Sequence, residues 1–290
     1  MQMQTIGDEQ HPIRASSLPA LFKCPRLFIE KVMVEGDQLG DEKAQTGNLV
    51  HAGIKAFHDY KGKGDALTHA KALMQLAAKV YTAGDYAEAE RMLEAYARRE
   101  LSERRGKVIL CEEKITLTLA ASPLDPTGNN IYITGTVDLV RLLGKDVLYI
   151  IDHKTGMTYG ENMVKGYMAQ LAAYGLAIMQ RYPDKKYKTF ITRIQDLKRS
   201  NLPFWWPMPG LETPEGCMKV LEVVVDRIAI LRAGRIHHTS SKECETYCPL
   251  VMYPNCQNVE LGVKPKLEQK PEVVKQQPKA MPLTVKDLFS

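Results

Sequence analysis

The residues with most to offer chemically are Asp138, Asp152 and Lys154. They lie in Gly135-Thr136-Val137-Asp138 and in Ile151-Asp152-His153-Lys154-Thr155-Gly156. Two carboxylates held close together repel one another, and a divalent cation between them relieves that repulsion. Oxygen ligands of this kind favour Mg²⁺ or Mn²⁺ over softer metals. Lys154 is two residues after Asp152, and on a strand side chains at that spacing share a face. An ammonium there can steady an attacking water and offset charge building on a phosphorus centre. Asp-x-Lys alone is a common tripeptide that usually marks a solvated strand end. The preceding Gly-x-x-Asp, one hairpin earlier, makes a chance arrangement much harder to sustain.

That chemistry requires two neighbouring strands joined by a tight turn, and the flanking sequence supplies them. Residues 108–119 alternate apolar and polar side chains, ASPLDPTGNN provides a turn, and residues 131–142 form a second strand. Gly144-Lys145-Asp146 turns the chain into a third strand, VLYIID, that ends at Asp152. Upstream the pattern is helical: 17–33 (interrupted near Pro25), 42–62, 65–81 and 85–104. Downstream come a helix over 161–181, a strand over 187–195, a short strand at Phe204–Pro207 and an amphipathic helix over 214–234. The expected fold is α/β (α+β), a mixed central sheet flanked by helices. Its expected organisation is a helical region over 1–105 carrying Cys24 and His51, a core over 106–235, a Cys-rich segment over 236–260 and a disordered tail over 261–290.

Two weaker signals flank the centre. Gly47-Asn48-Leu49-Val50-His51 sets a histidine on an early helix, where most histidines are structural. Gln170 and Tyr174, at i and i+4, share a helix face.

Taken in order, Gly47 to His51, Gly135 to Asp138, Asp152 to Gly156 and Gln170 to Tyr174 resemble the RecB-like branch of the PD-(D/E)XK nuclease superfamily. The resemblance implies a restriction-endonuclease-like fold and metal-dependent hydrolysis of DNA phosphodiester bonds. It implies that His51, Asp138, Asp152 and the backbone carbonyl of His153 ligate the metal. Lys154 would assist the attacking water, while Gln170 and Tyr174 would contact DNA or steady the site. Glu113, on the preceding strand, is the candidate for an outer carboxylate.

There are six cysteines, and Cys244, Cys248 and Cys256 lie close together near the end of the chain. In a reducing compartment such a group invites a metal reading, with Cys24 of Cys24-Pro25-Arg26 as a fourth ligand. This arrangement resembles the iron–sulfur nucleases of the AddB and CRISPR-associated kinds, which implies a structural [4Fe–4S] cluster. The gaps between the last three cysteines are longer than that family's commoner pattern. Zn²⁺ suits the same thiolates, with His237 or His238 able to replace one, and unligated cysteines in a loop are the third reading. Cys111 and Cys217, on a strand and at a helix start, read as plain core or surface residues.

With 39 Lys and Arg against 34 Asp and Glu, the net charge is +5. That permits a phosphate-backbone partner without arguing strongly for one. No apolar run is long enough for a membrane span, and the start lacks a secretory layout, so a cytoplasmic protein is expected. Absence of Gly-x-x-x-x-Gly-Lys-[Ser/Thr] excludes a P-loop motor within this sequence. Single-stranded DNA or duplex ends are the expected partner. Lys185–Lys188 and Lys198–Trp206 interleave cations with aromatics in a manner that suits a single strand, although such residues are more often a solvated loop and a core edge. The final residues, Leu283–Ser290, could dock on a protein partner. The competing reading is a catalytically silent DNA-binding subunit, or a metal-stapled structural subunit, of a recombination complex.

Overall fold

The computed structural model describes residues 3–33, 42–102, 106–156, 161–198 and 205–235. Cys244, Cys248, Cys256, His237, His238 and the whole tail from 261 onward lie outside the described residues. Among the described residues no helix is long and apolar enough to cross a membrane.

The elements follow the hydrophobic periods of the sequence closely. Strand β1 (Ile13–Arg14) precedes α1 (Leu18–Lys23), α2 (Pro25–Met33), α3 (Glu42–Asp59), α4 (Ala66–Ala77) and α5 (Tyr86–Ser102). Then come β2 (Lys107–Leu119), β3 (Ile131–Leu143), β4 (Val147–Lys154), α6 (Glu161–Arg181), β5 (Thr189–Asp196), β6 (Trp205–Pro207) and α7 (Pro214–Arg232). Pro25 divides the first helical stretch in two because it cannot donate to the turn before it, and it opens α2 instead. Side-chain caps fix several starts. Asp65 accepts from the amides of Leu67 and Thr68 at α4, and Thr213 accepts from that of Gly216 at α7. Gly144 turns β3 into β4 at φ 67°, a conformation L side chains rarely adopt. The two-residue strand β1, with no periodic run to announce it, was not expected from the sequence.

The strands form one mixed sheet, as expected, of six strands where the sequence reading names five. Alternation along β4 shows how helices cover both faces. Leu148 and Ile150 join a core with α1, α6 and α7, whereas Tyr149 and Ile151 join a second core with α3, α4 and α5. Parallel pairing of β4 with β5 uses α6 as the crossover.

Strand β3 is paired unequally on its two sides. Along one edge it pairs with β2 from Ile131 to Leu142. Along the other it pairs with β4 only from Leu139 to Leu143, and with β1 only at Ile133 and Thr134. Residues 135–138 therefore have no strand partner on that edge among the described residues. The sheet opens there, between β1 and the end of β4.

Candidate functional site

Asp138 sits at this opening. Its Oδ2 accepts a hydrogen bond from the backbone N–H of His153 on β4, at 2.5 Å. Strict alternation would give Asp138 the opposite face from Val137 and Leu139, but alternation fails here. Val137 and Val140 lie in the α6-side core, while Leu139 lies in the α3-side core and Asp138 reaches His51 of α3. Strand β2 breaks step at the same level. Leu110 and Ile115 face the α6 side, yet Cys111 and Glu112 both turn toward α3. The register sets Cys111 opposite Leu139 and Glu113 opposite Val137, so Glu112 faces Asp138 across the ladder. Glu112 has φ 50°, which is costly for a residue with a Cβ and is characteristic of functional sites.

The consequence is a compact ligand set. His51 Nδ1 lies 2.6 Å from Glu112 Oε1 and 3.7 Å from Asp138 Oδ1. The potential ligand atoms of His51, Glu112 and Asp138 all lie within 4.8 Å of one another. Glu113 instead points to the other face, 3.9 Å from Arg181, so the carboxylate that β2 brings to the site is Glu112.

Asp152 follows the last residue of β4 that pairs with β3, and it is buried. Its Oδ1 accepts from Gln170 Nε2 at 2.9 Å. Its Oδ2 lies 2.6 Å from Lys154 Nζ, an ion pair approached off the hydrogen-bonding direction, so this oxygen has no aligned donor. Gln170 Nε2 also donates to Tyr174 Oη at 3.0 Å. The Tyr174 ring occupies the space over Gly135, where a Cβ would come within 2.9 Å of the ring. Gly47, likewise, leaves room for Thr155, whose hydroxyl would lie 3.0 Å from a Cβ on residue 47. Each of these two motif glycines thus admits a neighbour from a different motif.

The electrostatics describe a site with more anion than its protein partners balance. Burial pushes the Asp152 carboxyl up to about 6 even though Lys154 opposes the shift. Burial raises Asp138 as well, with Glu112 adding to the effect against His51. Burial works against a charged His51, but Asp138 and Glu112 together raise it to about 9. Burial also opposes the charge on Lys154, and there Asp152 and Asp138 prevail and hold it above its usual range. Among buried side-chain atoms without a hydrogen-bond partner are Asp152 Oδ2, Gln170 Oε1 and both ring nitrogens of His153. Buried polar groups are normally satisfied, so this concentration of exceptions calls for a ligand. A divalent cation fits the donor set: two to three carboxylates, one imidazole and an unused buried oxygen.

The structure therefore gathers His51, Asp138, Asp152, His153, Lys154, Gln170 and Tyr174 into one place. His153 adds its backbone N–H to Asp138 and packs its ring against Tyr96, 5.3 Å between centroids. Cys24 is buried at the α1–α2 junction and carries no disulfide. Two neighbours escaped the sequence reading. Glu112 lies on the face opposite Ile115 and Leu117, and counting back along β2 could have found it. Tyr167 places its ring 5.3 Å from Lys154 Nζ, and its position one turn before Gln170 on the same helix could have identified it.

Residues 13–253 match the family model of the PD-(D/E)XK nuclease superfamily. Among solved structures the chain is similar to a "Putative exonuclease" from Eubacterium rectale. Identity is 12% over 97% of this chain and 94% of that one, with a TM-score of 0.49. It is also similar to SSO0001, at 12% identity over 83% of this chain and 95% of that one, with a TM-score of 0.38. No curated protein matches the sequence.

Proposed function

The chain belongs to the PD-(D/E)XK nuclease superfamily, with the restriction-endonuclease-like fold of that group, and we propose that it is a Mg²⁺- or Mn²⁺-dependent DNA exonuclease of the RecB-like kind. The observation that carries the reading is the convergence of Asp138, Asp152 and Lys154 with His51 and Glu112 at the opening in the sheet. His51, Glu112 and Asp138 would hold the metal, with the carboxylate of Asp152 available to join them. When bound, the divalent cation makes a nearby water more acidic and neutralises phosphate charge. Lys154 orients the attacking water and offsets the negative charge that grows on the phosphoryl oxygens. Gln170 fixes the Asp152 carboxylate, and Tyr174 fixes Gln170. Water attacks phosphorus, an O–P bond forms, and the bond to the 3′ oxygen breaks. The products are a 5′-phosphate and a 3′-hydroxyl. The substrate is single-stranded DNA or a duplex end, and the process served is recombination, repair or phage replication.

The deciding experiment is cleavage of end-labelled linear single- and double-stranded DNA with Mg²⁺, Mn²⁺ or EDTA, with wild type and Lys154→Ala side by side. Metal-dependent release of short products, lost in the variant, supports the proposal and gives the polarity. Absence of cleavage with every metal overturns it in favour of a DNA-binding role. Internal cuts in circular DNA would replace exonuclease by endonuclease.

A structural [4Fe–4S] cluster on Cys24, Cys244, Cys248 and Cys256 belongs to the same proposal. Its support is the cysteine grouping and the burial of a free Cys24 between two N-terminal helices. Iron and acid-labile sulfide in anaerobically purified protein would bear it out, whereas zinc without sulfide would replace the cluster by Zn²⁺.

A further inference from the structure

Lys154 has two described contacts of consequence. Its ammonium lies 2.6 Å from Asp152 Oδ2 and 5.3 Å from the centre of the Tyr167 ring. Asp152 Oδ1 already accepts from Gln170, whereas Oδ2 has no aligned donor and is the oxygen beside Lys154. A divalent cation drawn to Oδ2 would stand beside the Lys154 ammonium and repel it. When Lys154 yields that oxygen, Asp138 still attracts its charge, and the Tyr167 ring is the surface already in place beside it. Tyr167 is buried, and it precedes Gln170 by one helical turn and Tyr174 by two, so all three address the same centre. An ammonium over an aromatic face is attracted by the ring quadrupole, most strongly where water is excluded.

From this geometry we propose that Tyr167 is a positioning residue, holding the Lys154 ammonium beside the reacting phosphate while Asp152 ligates the metal. The proposal rests on the metal-dependent nuclease reading above. Tyr167 touches neither the metal nor the substrate. Its face gives the half-buried Lys154 a second resting place once Asp152 turns to the metal.

The test is a coupling measurement on the full chain. Mn²⁺ binding is titrated by calorimetry for wild type, Tyr167→Phe, Tyr167→Leu, Lys154→Met and the double variant Tyr167→Leu/Lys154→Met. A cation–π contact at a partly desolvated site corresponds to roughly 3- to 10-fold in an equilibrium. Tyr167→Leu should therefore weaken Mn²⁺ binding by about that factor and lower kcat similarly, with KM for DNA unchanged. Tyr167→Phe, which keeps the ring, should stay within about twofold of wild type on both measures. Lys154→Met should tighten Mn²⁺ binding by removing the repelling ammonium, and Tyr167→Leu should then have no further effect. An equal loss from Tyr167→Leu in both backgrounds, or a Phe variant as weak as the Leu variant, would overturn the positioning role. Asp138→Asn run alongside distinguishes the two failures. If that variant binds Mn²⁺ as wild type does, the metal-nuclease reading itself fails.

Discussion

Two buried charged groups in this protein have opposite characters. Arg232, near the end of α7, is 1% exposed, yet every edge of its guanidinium is used. Nε donates to Ile6 O at 2.9 Å, Nη1 to Asp125 Oδ2 at 2.6 Å and to Asn129 O at 2.7 Å, and Nη2 to Asn130 O at 3.2 Å. Asp125 spends its other oxygen on the amide and hydroxyl of Thr127. This clasp ties the N-terminal segment, the β2–β3 loop and α7 together with its charges matched. At the opening in the sheet, by contrast, Glu112, Asp138 and Asp152 crowd two cations and leave polar atoms unbonded. A buried charge with complete partners is structural, and one left in surplus is prepared for something not yet there.

The largest effect expected from this contrast is on rate. Lys154→Ala or Asp138→Asn should lower hydrolysis by about two to three orders of magnitude or more, the loss typical of removing a group that meets transition-state charge. Asp138→Asn should not lower the melting temperature of metal-free protein, since it relieves crowded carboxylates, whereas Lys154→Ala should lower it by leaving buried Asp152 without its cation. Kinetics and thermal melts in EDTA would check both halves. A variant that merely unfolds would break the comparison. Arg232→Met should do the reverse. Breaking a buried pair costs about 3–5 kcal/mol, or roughly 6–20 °C in melting temperature for a chain of this size. Turnover per folded molecule should be unchanged.

Acid should act on the two regions with opposite sign. Burial alone would raise Asp125, but the Thr127 amide and the Arg232 guanidinium hold its carboxyl below the usual range. Its contribution is present above the unfolded value near 3.8 and is lost as pH falls through the folded one. Asp152 is shifted upward from 3.8 to about 6, so its ionisation costs stability that returns as pH falls through that interval. His51, raised from 6.5 to about 9, contributes stability below 6.5 that is lost as pH rises through 9. Metal-free protein should therefore gain melting temperature from about pH 9 down to about 5 and lose it below about 4. Arg232→Met should remove much of the acid-side loss. Stabilisation by Mn²⁺ should run the other way and grow with pH, because both ligands must shed protons to bind it. A Mn²⁺ effect independent of pH between about 6 and 9 would contradict the assignment of His51 as a ligand.

Legibility from sequence divides along the same line. Helices and strands that bury one periodic face were readable to within a few residues, as in α6 over Glu161–Arg181 and β3 over Ile131–Leu143. Asp138, Asp152 and Lys154 were readable because a hairpin and a strand period bring them together. His51, Gln170 and Tyr174 needed family resemblance, since helix periodicity alone does not say which strand a helix face meets. Strand β1 was not readable, because two residues carry no period and only the gap beside β3 gives them a partner. The Arg232–Asp125 clasp also went unseen. It joins residues from three parts of the chain, and nothing local marks an arginine near a helix end as buried.

The smallest expected effect bears on the two adjacent glutamates of β2, of which Glu113 was named as the candidate carboxylate and Glu112 is the one that meets His51. Counting back from Ile115 by twos puts Glu113 on one face and leaves Glu112 on the other. That count already sets Glu112 on the His51 side; step is broken just beyond it, where Cys111 faces α3 as well, Glu112 has φ 50° and Asp138 stands directly opposite. If that paired irregularity exists to aim a carboxylate at His51, the two adjacent glutamates must differ sharply in consequence. Glu112→Gln should weaken Mn²⁺ binding by about 10-fold or more, in the range seen when a group supporting a metal site is removed. Glu113→Gln, half-exposed and paired loosely with Arg181, should change it by less than about twofold, as surface ion pairs do. Calorimetric titration of the two variants settles the matter. Equal responses would mean that the strained backbone at Glu112 serves the strand alone and not the site.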